Sequence, residues 1–108
     1  MRQCYISGQY SNADPMLRNG NIMRAMEAGI ALLQRNWLPI VPHTSMNHST
    51  PWSVAISRDK MVLHSLDPMT DVLVVLSGWG DSPGACEEVK VAQMLGIRVL
   101  TLHEAIRL

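Results

Sequence analysis

Two adjacent glutamates, Glu87 and Glu88, lie about one turn inside a helix that we predict to begin near Pro83. A buried strand and a turn rich in Gly, Ser and Pro come directly before that helix. A helix start presents free backbone N–H groups and the positive end of the helix dipole. A carboxylate near such donors stays ionised and can attack an electrophilic carbon or act as a general base. The segment therefore combines an anion-binding geometry with carboxylate chemistry.

A surface role explains the same two glutamates without any function, because the helix dipole alone favours acidic residues at this position. Their neighbours differ, however. Ala85, Glu88 and Ala92 share one helix face, so Glu88 has small neighbours and open space, whereas Glu87 points about 100° away. The helix pattern by itself leaves both glutamates as candidates.

The residues at the predicted helix start fit a structural role and a binding role equally well. Ser82 before Pro83 suits an N-cap followed by proline at the first helical position. With Gly84, the same geometry binds phosphate. Just upstream, Trp79 lies between two glycines, but Gly-x-Gly without a third glycine is a weak nucleotide signature. We therefore predict neither a dinucleotide site nor an ATP site.

Several further polar or aromatic residues are candidates with ordinary alternatives. Asp59 belongs to a pattern of four-residue steps on the second predicted helix, which a solvated helix face explains adequately. Tyr5 lies in a predicted buried strand, where most tyrosines are core residues. The histidines show no metal-ligand spacing, so we predict no metal site; they are His43, His48 and His64.

The apolar periodicity alternates between strands and helices along the whole chain. The predicted strands cover residues 3–7, 38–41, 72–76 and 97–102. The predicted helices cover residues 21–36, 52–66 and 83–95, with a short helix or tail at the end. Residues 11–20 are rich in Asn, Asp, Pro and Gly and are predicted to be a loop. We expect one α/β domain over residues 1–108, a Rossmann-like or flavodoxin-like three-layer sandwich. Its sheet should have four to five mostly parallel strands, with helices on both faces.

In such sheets, ligands bind beyond the carboxyl ends of the strands. Three polar segments follow predicted strands, at residues 7–11, 43–51 and 77–84. Because the carboxyl ends of parallel strands meet at one edge of the sheet, we expect these segments to converge on one site.

The composition excludes several classes of partner. Of the 108 residues, 47% are apolar and 17% are charged, and the formal net charge is zero. The scattered Lys and Arg residues form no patch for a nucleic acid polymer or an anionic membrane. No signal peptide or membrane-spanning run is visible, so we expect a cytoplasmic protein. Cys4 and Cys86 fall in a predicted strand and helix, and we expect them to be reduced and buried.

Three segments in order resemble the nucleoside 2-deoxyribosyltransferase superfamily, which also contains nucleoside 5′-monophosphate N-glycosidases. The first is Tyr5-Ile-Ser-Gly-Gln-Tyr, and the second is Asp59-x-x-x-Leu63-x-x-x-Asp67. The third is Ser82-x-Gly84-x-x-x-Glu88-x-x-x-Ala92. The chain is most similar to small branches that carry Gly-Trp-x-x-Ser-x-Gly-Ala, here residues 78–85.

The resemblance implies that Glu88, four residues before Ala92, attacks C1′ of the sugar and displaces the base. Water or another base then resolves the glycosyl-enzyme, as in retaining glycosidases. Tyr5 would orient the glutamate, and Asp59 would contact the nucleobase or sugar and help to protonate the leaving base. No cofactor is implied. The implied substrate-binding residues are Ser7, Gly8, His43, Trp79, Asp81, Ser82 and Gly84.

Ser82 stands where the transferases of this superfamily tend to carry an aspartate. A serine there resembles the monophosphate hydrolases, since a hydroxyl suits a phosphate that a carboxylate would repel. Asp81, one residue away, weakens that distinction. We therefore expect cleavage of a nucleoside monophosphate, with base transfer between nucleosides or nucleotide binding without catalysis as alternatives.

Two further expectations follow from the resemblance. A homodimer or larger homo-oligomer is implied, and because the chain ends soon after the fourth strand, either a partner chain completes the pocket or the activity has been lost. Asp67 and Asp71 both precede the third strand, and either one could correspond to the aspartate that the family carries there.

Overall fold

Four short strands form a single parallel sheet at the centre of the molecule. The computed structural model describes residues 1–45, 47 and 49–108. The strands are β1 (Gln3–Ser7), β2 (Leu38–Ile40), β3 (Val72–Val75) and β4 (Arg98–Thr101). The helices are α1 (Pro15–Leu33), α2 (Trp52–His64), α3 (Pro83–Met94) and α4 (Leu102–Ile106). Short 3-10 helices lie at Pro42–Ser45 and Trp79–Asp81.

The strand order is β2-β1-β3-β4, with every neighbouring pair parallel. Tyr5 of β1 lies level with Ile40 of β2 and with Leu73 of β3. This order is the flavodoxin-like one, in which the chain winds away from β1 in both directions. The α/β class with a parallel sheet is confirmed, and the sheet has four strands. Its switch point, where loops diverge and leave room for a ligand, lies between β1 and β3.

Alternation along the strands divides the core into two layers. Cys4 and Ile6 of β1 face one side of the sheet, where α1 and α4 pack, and Tyr5 faces the other side, where α2 and α3 pack. Trp37, 1% exposed, is the largest side chain of the first layer. Helices therefore cover both faces, as predicted. Every residue of β3 is buried because both of its faces are covered.

Helix α1 begins earlier than predicted. Asp14 accepts a hydrogen bond from the backbone N–H of Met16 at 2.9 Å, and Pro15 occupies the first helical position. This cap-and-proline pair is a helix start signal that the polar composition of residues 11–20 concealed. The helix ends three residues before Asn36, whose φ of 67° is left-handed. Each of the other predicted boundaries either coincides with the structure or differs from it by one or two residues.

The two cysteines have different environments. Cys4 and Cys86 are both free thiols, and Cys4 is fully buried, which raises its pKa to about 12. Cys86 is only half-buried, so the expectation of burial is correct for Cys4 alone. None of the helices in the described part of the chain is long and apolar enough to cross a membrane.

The carboxyl ends of β1 and β3 approach each other closely. The backbone N–H of Leu76 donates to the carbonyl oxygen of Ser7 at 2.9 Å. A Cβ added to Gly8 would lie 3.0 Å from the Cβ of Leu76, closer than most real Cβ contacts. A glycine at position 8 therefore lets the chain leave β1 directly above β3.

Asp71 fixes the opposite end of the same two strands. Its buried carboxylate accepts hydrogen bonds from the backbone N–H groups of Gln3 and Asp67, each at 2.8 Å. The Thr70 hydroxyl is a third donor at 3.2 Å. The Asp67 side chain, by contrast, is exposed and accepts the local backbone N–H of Met69. Of the two aspartates before β3, Asp71 is therefore the one that joins β3 to β1.

We expect Asp71→Ala to lower the free energy of unfolding by about 2–4 kcal/mol, because it leaves two part-buried backbone N–H donors without an acceptor and removes the link between β1 and β3. Asp67→Ala is the matched control and should cost about 1 kcal/mol or less, since water can replace an exposed turn hydrogen bond. Urea unfolding curves of both variants measure the difference. Equal losses in the two variants would contradict the assignment.

Candidate active site

The carboxylate of Glu88 is buried against β1, and a hydroxyl group contacts each of its oxygens. Tyr5 donates a short hydrogen bond from its phenol to Oε2. Ser7 donates from Oγ to Oε1 at 2.7 Å. Tyr5 and Ser7 are two residues apart on one strand, so both side chains face α3. Glu88 is only 5% exposed, so the hydrogen bonds from these two hydroxyls replace those that water would make to the carboxylate.

The start of α3 determines where Glu88 lies. Ser82 caps the helix: its Oγ accepts the N–H of Ala85 at 3.2 Å, and its carbonyl accepts the N–H of Cys86 at 2.9 Å. Ala85 and Ala92, one turn before and one turn after Glu88, are fully buried. Their small side chains let the helix lie close to the sheet, which brings the Glu88 carboxylate within reach of β1.

Burial raises the pKa of Glu88 from 4.5 to about 8. The Tyr5 and Ser7 hydroxyls oppose that rise because they stabilise the ionised form, whereas the neighbouring Asp59 adds to it. Burial and the Glu88 charge also raise the pKa of Tyr5. Tyr5 therefore remains a protonated hydrogen-bond donor throughout the physiological range.

Asp59 of α2 is the second carboxylate of the site. It is 5% exposed, so the alternative of a solvated helix face is excluded. The guanidinium of Arg58 contacts its Oδ1 from Nη2 at 2.7 Å and from Nε at 3.1 Å. Arg58 also donates from Nη1 to the Ser45 hydroxyl at 2.6 Å, which joins α2 to the 3-10 helix after β2. Asp59 is thus held beside Glu88 by a charged partner on its own helix.

These carboxylates border a cavity of about 430 Å³ at the carboxyl edge of the sheet. That volume is within the range of pockets that hold small molecules. All three predicted loop segments contribute to its walls. Among the residues that line it are Gly8, Tyr10, Asn12, Arg18, His43, Thr50, Trp52, Ile56, Asp59, Asp81, Ser82, Gly84 and Glu88.

The structure brings most of the predicted site residues together. Seven of them line the cavity: Gly8, His43, Asp59, Asp81, Ser82, Gly84 and Glu88. Tyr5 and Ser7 hold Glu88 from the sheet. Trp79 is the exception, because it packs against the core beneath α3 and lines a separate groove with Leu76 and Leu102. Glu87 points away from the cavity and pairs with Lys60 of α2 at 3.4 Å.

His43 supports the loop after β1. It is 3% exposed, and burial lowers its pKa, which favours the neutral imidazole. Its Nε2 lies 3.0 Å from the carbonyl oxygen of Gln9, an acceptor, so the proton of the neutral ring is on Nε2. Among the described residues its buried Nδ1 has no hydrogen-bond partner. The ring also lies 6.0 Å from that of Tyr10.

Several cavity residues lie outside the segments that the sequence predicted to form the site, among them Arg18 and Trp52. Arg18 lies on the first turn of α1, in the segment that was predicted to be a loop. Trp52 begins α2, and a Cβ added to Gly84 would lie 3.7 Å from its indole Nε1. The early helix signal at Asp14-Pro15 would have placed Arg18 near the sheet edge. No sequence signal places Trp52 against α3, since that contact depends on how α2 and α3 pack.

Within residues 1–45, 47 and 49–108, no group of three or more His, Cys, Asp or Glu side chains could hold a metal ion. His48, one of the histidines considered in the sequence, lies outside the described residues.

Comparison of the chain with protein-family models finds no match, and comparison with curated protein sequences also finds none. The function has therefore to be inferred from the chemistry of the cavity.

The raised pKa of Glu88 predicts a pH-dependent loss of stability. A group whose pKa is higher in the folded state stabilises the fold below its unfolded value, here 4.5, and that contribution is lost as the pH rises to about 8. Glu88→Gln removes the ionisation. We expect this variant to melt at least about 4 °C above the native chain at a pH above 8, and the advantage to shrink on acidification.

Melting curves of both proteins over that pH range provide the measurement. Because the two proteins share all other titratable groups, the contribution of those groups to the pH dependence cancels in the difference between the melting temperatures. Glu87→Gln is the control, because Glu87 is a half-exposed neighbour on the same helix. Parallel curves for the native chain and Glu88→Gln would show that Glu88 does not titrate as the geometry requires.

Proposed function

We propose that this chain hydrolyses the N-glycosidic bond of a nucleoside 5′-monophosphate, with ribose or deoxyribose as the sugar, and that Glu88 is the nucleophile. One observation carries the proposal. Two hydroxyls from β1 hold both oxygens of a buried carboxylate that borders a cavity of small-molecule size. A carboxylate with no function has no reason to be buried at this edge of a parallel sheet, where ligands bind.

The proposed reaction has two steps. In the first, a Glu88 oxygen forms a bond to C1′ while the C1′–N bond breaks, and its electron pair leaves with the base. In the second, a water oxygen forms a bond to C1′ while the bond from C1′ to Glu88 breaks, which releases the sugar phosphate and the Glu88 carboxylate. The proton that the water loses passes to Asp59, which gave a proton to the base in the first step. The first step needs the ionised carboxylate, which the Tyr5 and Ser7 hydroxyls favour. The positive charge that develops on the sugar in the transition state stabilises the ionised carboxylate further.

The leaving base needs a proton, and Asp59 is suited to supply it. Burial and the neighbouring Asp59 raise the pKa of Glu88, so the Glu88 carboxyl group holds a proton to a higher pH than an exposed glutamate does. Transfer of that proton through Asp59 to the base nitrogen leaves Glu88 free to attack. Arg58 keeps the Asp59 side chain in place during this transfer.

The phosphate is proposed to bind between α3 and α1. Ser82 offers a hydroxyl, and Gly84, as the second residue of α3, has an N–H that no intrahelical bond uses. Arg18 contributes the one guanidinium among the described cavity residues. It donates from Nη1 to the Asn12 carbonyl at 3.0 Å, which leaves further N–H donors for an anion.

Asp81 favours a second candidate function, base exchange on free nucleosides. Its side chain lines the cavity next to Ser82, where a carboxylate accepts a hydrogen bond from a 5′-hydroxyl and repels a phosphate. In that case a second base, rather than water, resolves the glycosyl-enzyme. The same cavity could also bind a nucleotide without cleaving it.

Release of free base tests the proposal. We expect purified protein to release base from one or more ribo- or deoxyribonucleoside monophosphates, with Glu88→Gln at least about 1,000-fold slower because no nucleophile remains. Glu87→Gln should retain nearly full activity. Chromatography separates base from nucleotide.

Each alternative has its own outcome in that assay. Base exchange that requires a nucleoside and an added base would favour transfer, and tight binding without release would favour a binding protein. Full activity of Glu88→Gln would refute the mechanism.

Arg18→Gln tests the phosphate position separately. Loss of a charge-assisted contact should raise KM for the monophosphate by about tenfold or more and leave kcat/KM for the matching nucleoside unchanged. Steady-state rates on both substrates give the comparison. An equal loss on the two substrates would show that Arg18 does not contact the phosphate.

A further inference from the structure

Helix α1 has a second apolar face that packs against nothing in the described chain. Its sheet side is formed by the buried residues Asn21, Ala25, Ala28, Gly29 and Leu32. On the opposite side, five large apolar side chains are between 46% and 82% exposed: Met16, Met23, Met26, Ile30 and Leu33. We call these five residues and Asn19 the α1 seam.

The spacing of the α1 seam indicates what covers it. Its positions are 16, 19, 23, 26, 30 and 33, with alternating steps of three and four residues. An apolar repeat of this kind averages 3.5 residues and is typical of a helix that packs lengthwise against another helix. The small residue Gly20 lies beside the seam and allows a close approach. The partner surface is therefore a helix rather than a flat sheet.

The order of steps along the α1 seam is the same in both directions, so the seam complements itself. A two-fold axis near its centre places Met16 opposite Leu33 and Met23 opposite Met26 of a second, antiparallel copy. Only the pair of Asn19 and Ile30 then joins a polar residue to an apolar one. Self-complementary surfaces of this kind are what two-fold homodimers require.

The exposed area also fits a second copy. The five apolar side chains present on the order of 500 Å² of surface, near the upper limit for patches on monomers. This is more than half of the ~800 Å² that each partner buries in a standard interface. Neighbouring side chains, such as the exposed Leu17, extend the patch. The seam alone thus supplies most of the contact that a stable dimer needs.

We propose that the α1 seam is the interface of a two-fold homodimer, in which two α1 helices pack antiparallel at a crossing angle of about 20°. This proposal concerns the outer face of α1 and does not depend on the reaction in the cavity.

Sedimentation equilibrium tests the interface. We expect the native chain at tens of micromolar to have twice its chain mass of 12.0 kDa. Met23→Glu places a charge in the seam of each copy and should weaken dimerisation at least about 100-fold. Met61→Glu is the matched control, because Met61 is exposed in the middle of α2, and it should remain dimeric. A monomeric native chain, or a dimeric Met23→Glu variant, would overturn the proposal.

A second variant that should strengthen the dimer keeps the interface testable even if Met23→Glu fails to fold. Asn19→Leu replaces the polar position of the seam and should tighten the dimer by about tenfold, because it adds buried apolar surface without removing any core contact. Circular dichroism confirms that each variant has the native helix content. Unchanged or weaker association of a folded Asn19→Leu variant would contradict the seam.

Discussion

The rest of the structure depends on one constraint: a carboxylate is buried against the sheet and must receive hydrogen bonds there. Glu88 meets it because β1 presents Tyr5 and Ser7 on the same face, at the spacing of two that a strand imposes. Helix α3 must lie close enough for those bonds, and Ala85 and Ala92 allow it. Strand β1, helix α3 and the two alanines therefore depend on one another, because a change in any of them would leave the buried Glu88 carboxylate without hydrogen-bond donors.

The same constraint relates stability to function. Burial beside Asp59 raises the pKa of Glu88, so the ionised form costs free energy in the folded state at neutral and higher pH. A protein selected for stability alone would place an apolar residue at this position. The hydroxyls of β1 and the Arg58 guanidinium offset part of that cost and keep the two carboxyl groups in position. Such an arrangement, at the switch point of a parallel sheet and open to a cavity, is typical of a site that does chemistry.

Helix α1 shows how one element can serve two surfaces. Its inner face is formed by alanines, a glycine and Leu32, which fit closely on β1 and β2. Its outer face keeps the 3.5-residue repeat of the α1 seam, and its first turn carries Arg18 to the cavity. The high apolar content of this helix made it easy to predict as a helix. The periodicity alone does not show which of the two apolar faces meets the sheet, because both repeat at a helical spacing.

The amino-acid sequence is enough to predict the α/β alternation, the parallel sheet, the edge at which polar loops meet, and Glu88 as a candidate. These follow from local patterns: strand and helix periods, a cap with proline at Ser82-Pro83, and polar residues after strands. The folded molecule was needed to show that Asp59 is buried beside Glu88, that Arg18 and Trp52 line the cavity, and that Trp79 does not. Those facts join residues far apart in the chain, and they depend on how α2 and α3 lie against each other and against β1. A period along one segment tells which face is apolar, but not which side chain of another segment it meets.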